Sequence, residues 1–476
     1  VRKTMISVIQ HLVLKRPELA AGFLQEPYIV NGEEREAPMI RLVIDHEESV
    51  RKQAVLAGVD ICLHHGEVVN LAFLEHIGGR VRDKKESVRR AAAEGLSQLW
   101  HKHCAPFDRN ALTHAVETKF DWIPSKIVGL NNMDQASKNL AAHCVDICLS
   151  ATAVKRGVEA VALDFFASLD DPATELFLMS LRARKFFREA FLKLCDARKS
   201  DGPGYDMEEG AEEEIAAQIK KLSAAFLDAS KAQESFEKLE KTQVSKVWEI
   251  LEGMVRNPKG TMEVNKQQDD VVKRLGPRSP LLDFVKQLIA MLVDPHFGFD
   301  FVNHVMKGVS SKSKSKGEAA RTQASLRLLP AIAEMNPALF KSQQNAFEKM
   351  LIEEGDDKGM AEHFLATLAV TASSLPGLYK NRKLTQHLED NCTEGSSVVA
   401  KHSMRAMAAL GQEHFDKLVN KCTAELSLGP KLPAVLRVLL EITKASPEDI
   451  ASDSAEIQDF VTKKLLRNVW PAGGKK

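Results

Sequence analysis

Apolar positions recur at spacings of three and four through most of this chain. That is the period of helices with one buried stripe, not of half-buried strands. The stretch 83–104 shows it most clearly. Val88, Ala92, Leu96 and Leu99 share one face, Ser87 can cap the start, and Ala91, Ala92, Ala93 and Gly95 are small enough for another backbone to approach. The same pattern predicts helices within 1–24, from 38 to 102 with a break at Gly78-Gly79, over 134–149, 154–169 and 172–197, and from 215 to 256. Further helical segments are expected at 281–292, 299–307, 321–334, 337–354, 358–373, 383–390, 397–410, 412–428, 432–443 and 454–469. The periodicity lapses in polar, turn-rich stretches at 25–37, 199–214, 257–280 and 307–320, which are expected as loops or linkers. No strand run stands out, so the predicted class is all-α.

The stretch 45–58 repeats 83–96 in register. Asp45, Val50, Arg51 and Ala54 match Asp83, Val88, Arg89 and Ala92, each pair 38 residues apart. A period near 40 with this Asp-x4-Val-Arg-x2-Ala pattern is the signature of stacked HEAT-type helix pairs. The Asp is favoured at a helix N-terminus. The Arg one turn inside can reach the Asp of its own or of the neighbouring repeat. The Val packs inward, and the Ala lets helices cross closely. Such a unit cannot bury its apolar face alone and needs neighbours. Asp45, Arg51, Asp83 and Arg89 therefore read as a structural ladder, and Val1-Arg2 looks like a third copy of its start. The expected architecture is a curved HEAT-repeat α-solenoid with irregular insertions. Its first half is 1–198, an acidic linker follows at 199–214, and its second half is 215–476, with loops at 257–280 and 307–320.

Charge and chemistry narrow the function. Sixty-five basic residues balance 65 acidic ones, so nucleic acid is at most an indirect partner. Seven cysteines at scattered positions suit reduced thiols. No stretch approaches the roughly 20 apolar residues that span a bilayer, and no signal peptide is visible. The chain opens at Val1 in the middle of a helical pattern, so a longer protein is expected. There is no Gly-rich phosphate loop and no His-Glu-x2-His, and no catalytic constellation is expected. Cys144 and Cys148, with His143 beside them, lack two further ligands for a closed zinc set and read as buried thiols. The acidic run 208–214 and the Ser/Lys loop 307–316 read as solvated segments.

Where the repeat period becomes irregular, aromatics, amides and lysines mix: Trp100, Lys102, Trp122, Lys126, Asn131 and Lys138. These types anchor partner helices, and solenoids bind along extended faces. With Lys84 and Leu130 they are the candidate partner-binding residues. Both Trp residues also suit core positions between repeats.

The particular residues of 83–104 resemble the cohesin-associated Precocious Dissociation of Sisters protein 5 family. The resemblance rests on Asp83, Lys84, Val88, Arg89, Gly95, Leu96, Leu99, Trp100, Lys102 and Cys104. Further along it draws on Trp122-Ile123 with Lys126, Ala167-Ser168-Leu169-Asp170 before Pro172, Pro280 to Lys286, and Val398 to Leu410. The acidic stretch near Glu212 and the loop near Lys312 depart from the family pattern. The resemblance implies a non-enzymatic HEAT scaffold, nuclear and chromatin-associated. It would bind the α-kleisin subunit of cohesin through middle repeats and help maintain and release sister-chromatid cohesion. It also implies a Wapl-type release factor and the cohesin acetyltransferase as partners, through a preceding N-terminal part, and an inositol hexakisphosphate site with no residue assigned. The rival reading is another HEAT-repeat scaffold, of the transport-receptor or phosphatase-scaffold type. Long insertions speak against it, because those scaffolds keep near-constant repeat lengths.

Overall fold

The structure is a computed structural model. It describes residues 1–107, 116, 119–150, 157–200, 211–226, 228–241, 245–309, 316–352, 358–375, 377–411, 415–451 and 454–465. Helix packing divides the chain into two units. The first comprises Val1–Ser180, Asp206–Thr242 and Ser313–Ala324, and the second Leu181–Tyr205, Gln243–Lys312 and Ser325–Lys476. One of the boundaries between them falls within the helix Asp171–Ser200.

In the first unit the Val-Arg helices stack in a row. They are α1 (Arg2–Lys15), α4 (Glu48–His64) and α6 (Glu86–His103), and the helix Gln135–Cys148 continues the row. Between them run α2 (Ala20–Leu24), α3 (Pro38–Val43), α5 (Leu71–Gly79) and the short helix Ile123–Val128. Close crossing needs the small residues that the pattern supplied. A Cβ on Gly95 would stand 2.5 Å from Val59 Cγ2, and one on Gly58 would stand 2.8 Å from the Phe73 ring.

The ladder runs between repeats. Arg51 Nε and Nη2 each donate at 2.9 Å to the two carboxylate oxygens of Asp83, with side-chain exposures of only 5% and 2%. Arg2 Nη1 donates to Asp45 at 2.7 Å, and Arg89 Nη2 reaches Asp134 at 3.5 Å. So each Arg reaches forward to the acid of the following repeat. Meanwhile Arg51 Nη1 donates to the Asp45 and His46 carbonyls of its own turn, and Arg89 Nη1 to that of Asp83. Each acid also holds its own helix start. Asp45 Oδ1 accepts from the Glu47 amide, Asp83 Oδ1 from Lys85, and Asp134 Oδ1 from Ser137. Ser87, expected to cap α6, instead lies in its first turn and donates to Glu48 at 2.5 Å.

Three stretches expected as loop or linker contain regular elements. The expected loop 25–37 contains a two-stranded hairpin, Tyr28–Val30 against Glu33–Arg35. Its turn is Asn31-Gly32, both at positive φ (53° and 80°), which is the two-residue turn that matches strand twist. The expected loop 257–280 contains the helix Thr261–Leu275, in which Val271 alone is buried. In the acidic linker, Glu212, Glu213 and Glu214 form the first turn of the helix Ala211–Ser223, where acids are favoured. Residues 201–210 and 310–315, parts of the expected acidic linker and Ser/Lys loop, lie outside the described residues.

The second unit shows the same logic as two rows. Helices Lys358–Thr371, Ser397–Ala409 and Leu432–Ala445 pack side by side. Gln344–Ile352, Arg382–Glu394, Asp416–Ala424 and Pro447–Ala451 form the companion row. Elsewhere in this unit Arg188 is buried with its Nε on the Leu292 carbonyl at 2.6 Å, and Arg184 pairs with the buried Asp294.

Breaking a buried pair leaves an uncompensated charge, which costs about 3–5 kcal/mol, whereas exposed pairs contribute about 0–1 kcal/mol. Arg51→Ala is therefore expected to lower the denaturation midpoint sharply. Arg2→Ala, which removes a side chain that is 44% exposed, is expected to shift it little. Equal effects in urea melts would refute the difference.

Acid dependence follows from Asp83. Burial works to raise its pKa, but hydrogen bonds from Arg51 and the Lys85 amide, with the charges of Arg51 and Arg80, outweigh it and hold it below the usual 3.8. A depressed folded-state value means the stabilisation is full above that usual value and is lost as pH falls through the folded one. Melting temperature should thus drop below pH 3.8, and Asp83→Asn should flatten that part of the profile. An unchanged profile would contradict the assignment.

Candidate partner-binding face

The candidate residues do not all share a face. Trp100 is core, 1% exposed, its ring edge-on to Phe165 at 5.4 Å. Leu130 is 0% exposed in the turn after Ile123–Val128. The sequence expectation that these two meet a partner is corrected: both lie inside the packing that holds the face and offer no surface. A Trp and a Leu where the period breaks are compatible with either role, and only packing separates them. Trp122 is intermediate. Its indole Nε1 donates to the Lys119 carbonyl at 2.8 Å, and its ring fills the space that a Cβ on Gly78 would occupy, 2.8 Å away.

Four of the remaining residues stand on two neighbouring turns or on the helix ends beside them. The turn before α6 and the turn 129–134 are neighbours: Arg89 reaches Asp134, and Arg82 Nη2 lies 3.4 Å from the Cβ position of Gly129. Lys84 stands on the first turn and Asn131 on the second. Lys126 and Lys138 stand on the helix ends flanking the second, and all three lysines are exposed. Asn131 Nδ2 donates to the Val128 carbonyl at 3.1 Å, which fixes its carbonyl end outward from that bond. Lys102 does not join them. It lies 16 residues beyond Glu86 on α6, about 24 Å along the axis, and its ammonium donates to the Leu63 carbonyl.

The ladder sets this edge. Asp83 is held by Arg51 and by Arg80 Nη1 at 3.2 Å, so Lys84 and Lys85 project from a pinned turn. On the second turn the Ser137 amide and side chain, with a smaller contribution from Arg89, hold Asp134 below its usual pKa. Sequence reasoning missed Arg80, Arg82 and Asp134. The first two sit at no repeated position. Asp134 precedes a helix lacking the Val-Arg pair, so only its helix-start position signalled it.

What this edge can do is bind anionic side chains through mobile ammonium groups on a rigid base. All seven cysteines are buried as thiols, and burial pushes Cys62, Cys144, Cys195 and Cys422 up to about 12. Among the described residues no group of three or more His, Cys, Asp or Glu could hold a metal ion. Nor is any described helix long and apolar enough to cross a membrane.

Known proteins align with the chain along most of its length. It is 23% identical over 434 residues to sister chromatid cohesion protein PDS5 homolog A of Arabidopsis thaliana, covering 89% of this chain and 26% of that protein. Human PDS5 homolog B is 22% identical over 500 residues, covering 98% and 33%. The chain thus spans about a quarter to a third of these relatives' length. A solved structure of a Pds5–Scc1 complex shares the fold, with a TM-score of 0.55 at 16% identity, over 65% of this chain and 46% of that one. The family model for the sister chromatid cohesion protein PDS5 matches residues 1–475, and the chain belongs to that family.

Proposed function

We propose that this chain is a non-enzymatic regulator of cohesin that holds a segment of the α-kleisin subunit on the edge formed by Lys84, Lys126, Asn131 and Lys138. The observation that carries the reading is the family match over residues 1–475, and the solved Pds5–Scc1 complex of similar fold supports it. The local argument is electrostatic. A pinned turn presenting ammonium groups attracts an acidic segment and fixes its register more than it adds raw affinity. Trp122, half-buried on Gly78, supplies an apolar shoulder, while Lys102 would contact only a segment long enough to run the length of α6.

In this reading the chain maintains and releases sister-chromatid cohesion at chromatin in the nucleus. A Wapl-type release factor and the cohesin acetyltransferase act through other parts of the full-length protein, and DNA is contacted at most indirectly. The role is that of a scaffold. The perturbed acids Asp83, Glu252 and Asp294 each face an Arg or Lys and serve packing, not proton transfer.

The test is binding of overlapping segments of the α-kleisin from the same species at two salt concentrations. One short segment should bind saturably, more weakly at higher salt. Lys126→Glu with Asn131→Asp should weaken it about tenfold or more, as opposing charge at a steered interface does, with the fold kept and only a small drop in melting temperature from the lost Asn131–Val128 hydrogen bond. A double variant that binds like the wild type would move the site elsewhere. No binding by any segment to a folded chain would remove the kleisin reading for these residues.

A further inference from the structure

Helices Ser397–Ala409 and Leu432–Ala445 lie against each other in the second unit. Between them stands Glu441, its side chain 4% exposed. Arg405 Nε donates to Glu441 Oε2 at 2.8 Å, while Lys444 Nζ and Arg437 Nη2 approach Oε1 at 3.2 and 3.3 Å. Burial works to raise this carboxyl, but the hydrogen bonds from Arg405 and Lys444 outweigh it and hold it below its usual range. Lys401, one turn before Arg405, feels the same group. Burial pushes its amine down, the charges of Arg405 and Arg437 push it further, and Glu441 opposes them. One carboxylate balances one cation, yet four cations gather here. They are not sealed in: Arg405, Arg437 and Lys444 keep 44%, 35% and 55% of their side chains exposed.

Two apolar side chains share these ridges. Val398, 38% exposed, precedes Lys401 by three positions, and Leu440, 45% exposed, lies three after Arg437 and four before Lys444. At those spacings each falls on the same helix face as the cations. Singly they would need no explanation. Leu440 lies between Arg437 and Lys444, and Val398 lies one turn before Lys401, so on two adjacent helices apolar and cationic groups form a mixed surface.

We propose that this double ridge docks an acidic peptide segment with apolar side chains, its carboxylates on Lys401, Arg405, Arg437 and Lys444 and its apolar groups on Val398 and Leu440. The excess of cations fixes the sign of the partner, because an anion relieves their repulsion. The apolar pair fixes its class. A nucleic-acid backbone or an inositol phosphate presents phosphate and sugar, to which Val398 and Leu440 contribute nothing. A peptide with carboxylates and aliphatic groups at helical spacing satisfies both. This surface belongs to a different unit from the Lys84–Lys138 edge and does not rest on the kleisin reading.

The test uses the whole chain and a fluorescein-labelled peptide of about 20 residues, long enough to form a helix, with Glu and Leu at spacings of three and four. Anisotropy should show saturable binding that weakens with salt, is lost when every Glu becomes Gln, and falls when every Leu becomes Ala. Lys401→Ala with Lys444→Ala leaves the Arg405–Glu441 pair in place. It should reduce affinity about tenfold, as losing two charge contacts does, with melting unchanged. Leu440→Ala should reduce it severalfold. If the double variant melts early, Leu440→Ala and the Gln peptide decide the matter alone. Three outcomes overturn the proposal: no saturable binding, equal binding of the Ala peptide, or a well-folded double variant that binds normally. Tighter binding of a DNA duplex or of inositol hexakisphosphate, lost in the same double variant, also overturns it and makes the ridge a phosphate site.

Discussion

Everything in the first unit depends on one arrangement: an arginine that closes its own turn and pairs with the acid of the following repeat. Arg51 does this in its most buried form, donating to two carbonyls behind it and to both oxygens of Asp83 ahead. A buried pair of this kind adds little net stability, because desolvation offsets its Coulomb attraction. Its effect here is on register. With both guanidinium edges committed, one repeat has a single position against the next. The approach of Val59 to Gly95 then needs no adjustment. The same arrangement pins the turns from which Lys84, Asn131 and their neighbours project, so the candidate edge is a consequence of the stack.

The second unit applies the same chemistry in another form. Lys199 and Arg256 meet at Glu252, and Arg405, Arg437 and Lys444 meet at Glu441. In each case a carboxylate that burial would neutralise stays charged because cations converge on it. What differs from Asp83 is exposure. The Arg51–Asp83 pair is enclosed, its side chains 5% and 2% exposed, whereas the cations on Glu441 are open to water.

Much of this was readable before the structure. The 38-residue recurrence of Asp, Val, Arg and Ala gave the helix pairs, because those residue types are the ones a close, charged crossing requires. The direction of the ladder was not readable, since Arg51 is six residues from Asp45 and 32 from Asp83, and only packing decides between them. The hairpin at Asn31-Gly32 carried its turn signal, but strands of three residues show no alternation. The helix Thr261–Leu275 has one buried residue, and the polar run 265–270 interrupts its apolar stripe. Trp100 and Leu130 show the limit of residue type: the same side chains serve as core or as contact, and burial alone assigns them.

The most direct measurement is hydrogen–deuterium exchange of the chain with and without a saturating α-kleisin segment. The account predicts added protection in the turns 80–85 and 129–134 and in the helix ends around Lys126 and Lys138, with the core of α6 already protected in both states. Protection confined to other repeats, with these turns unchanged, would contradict it.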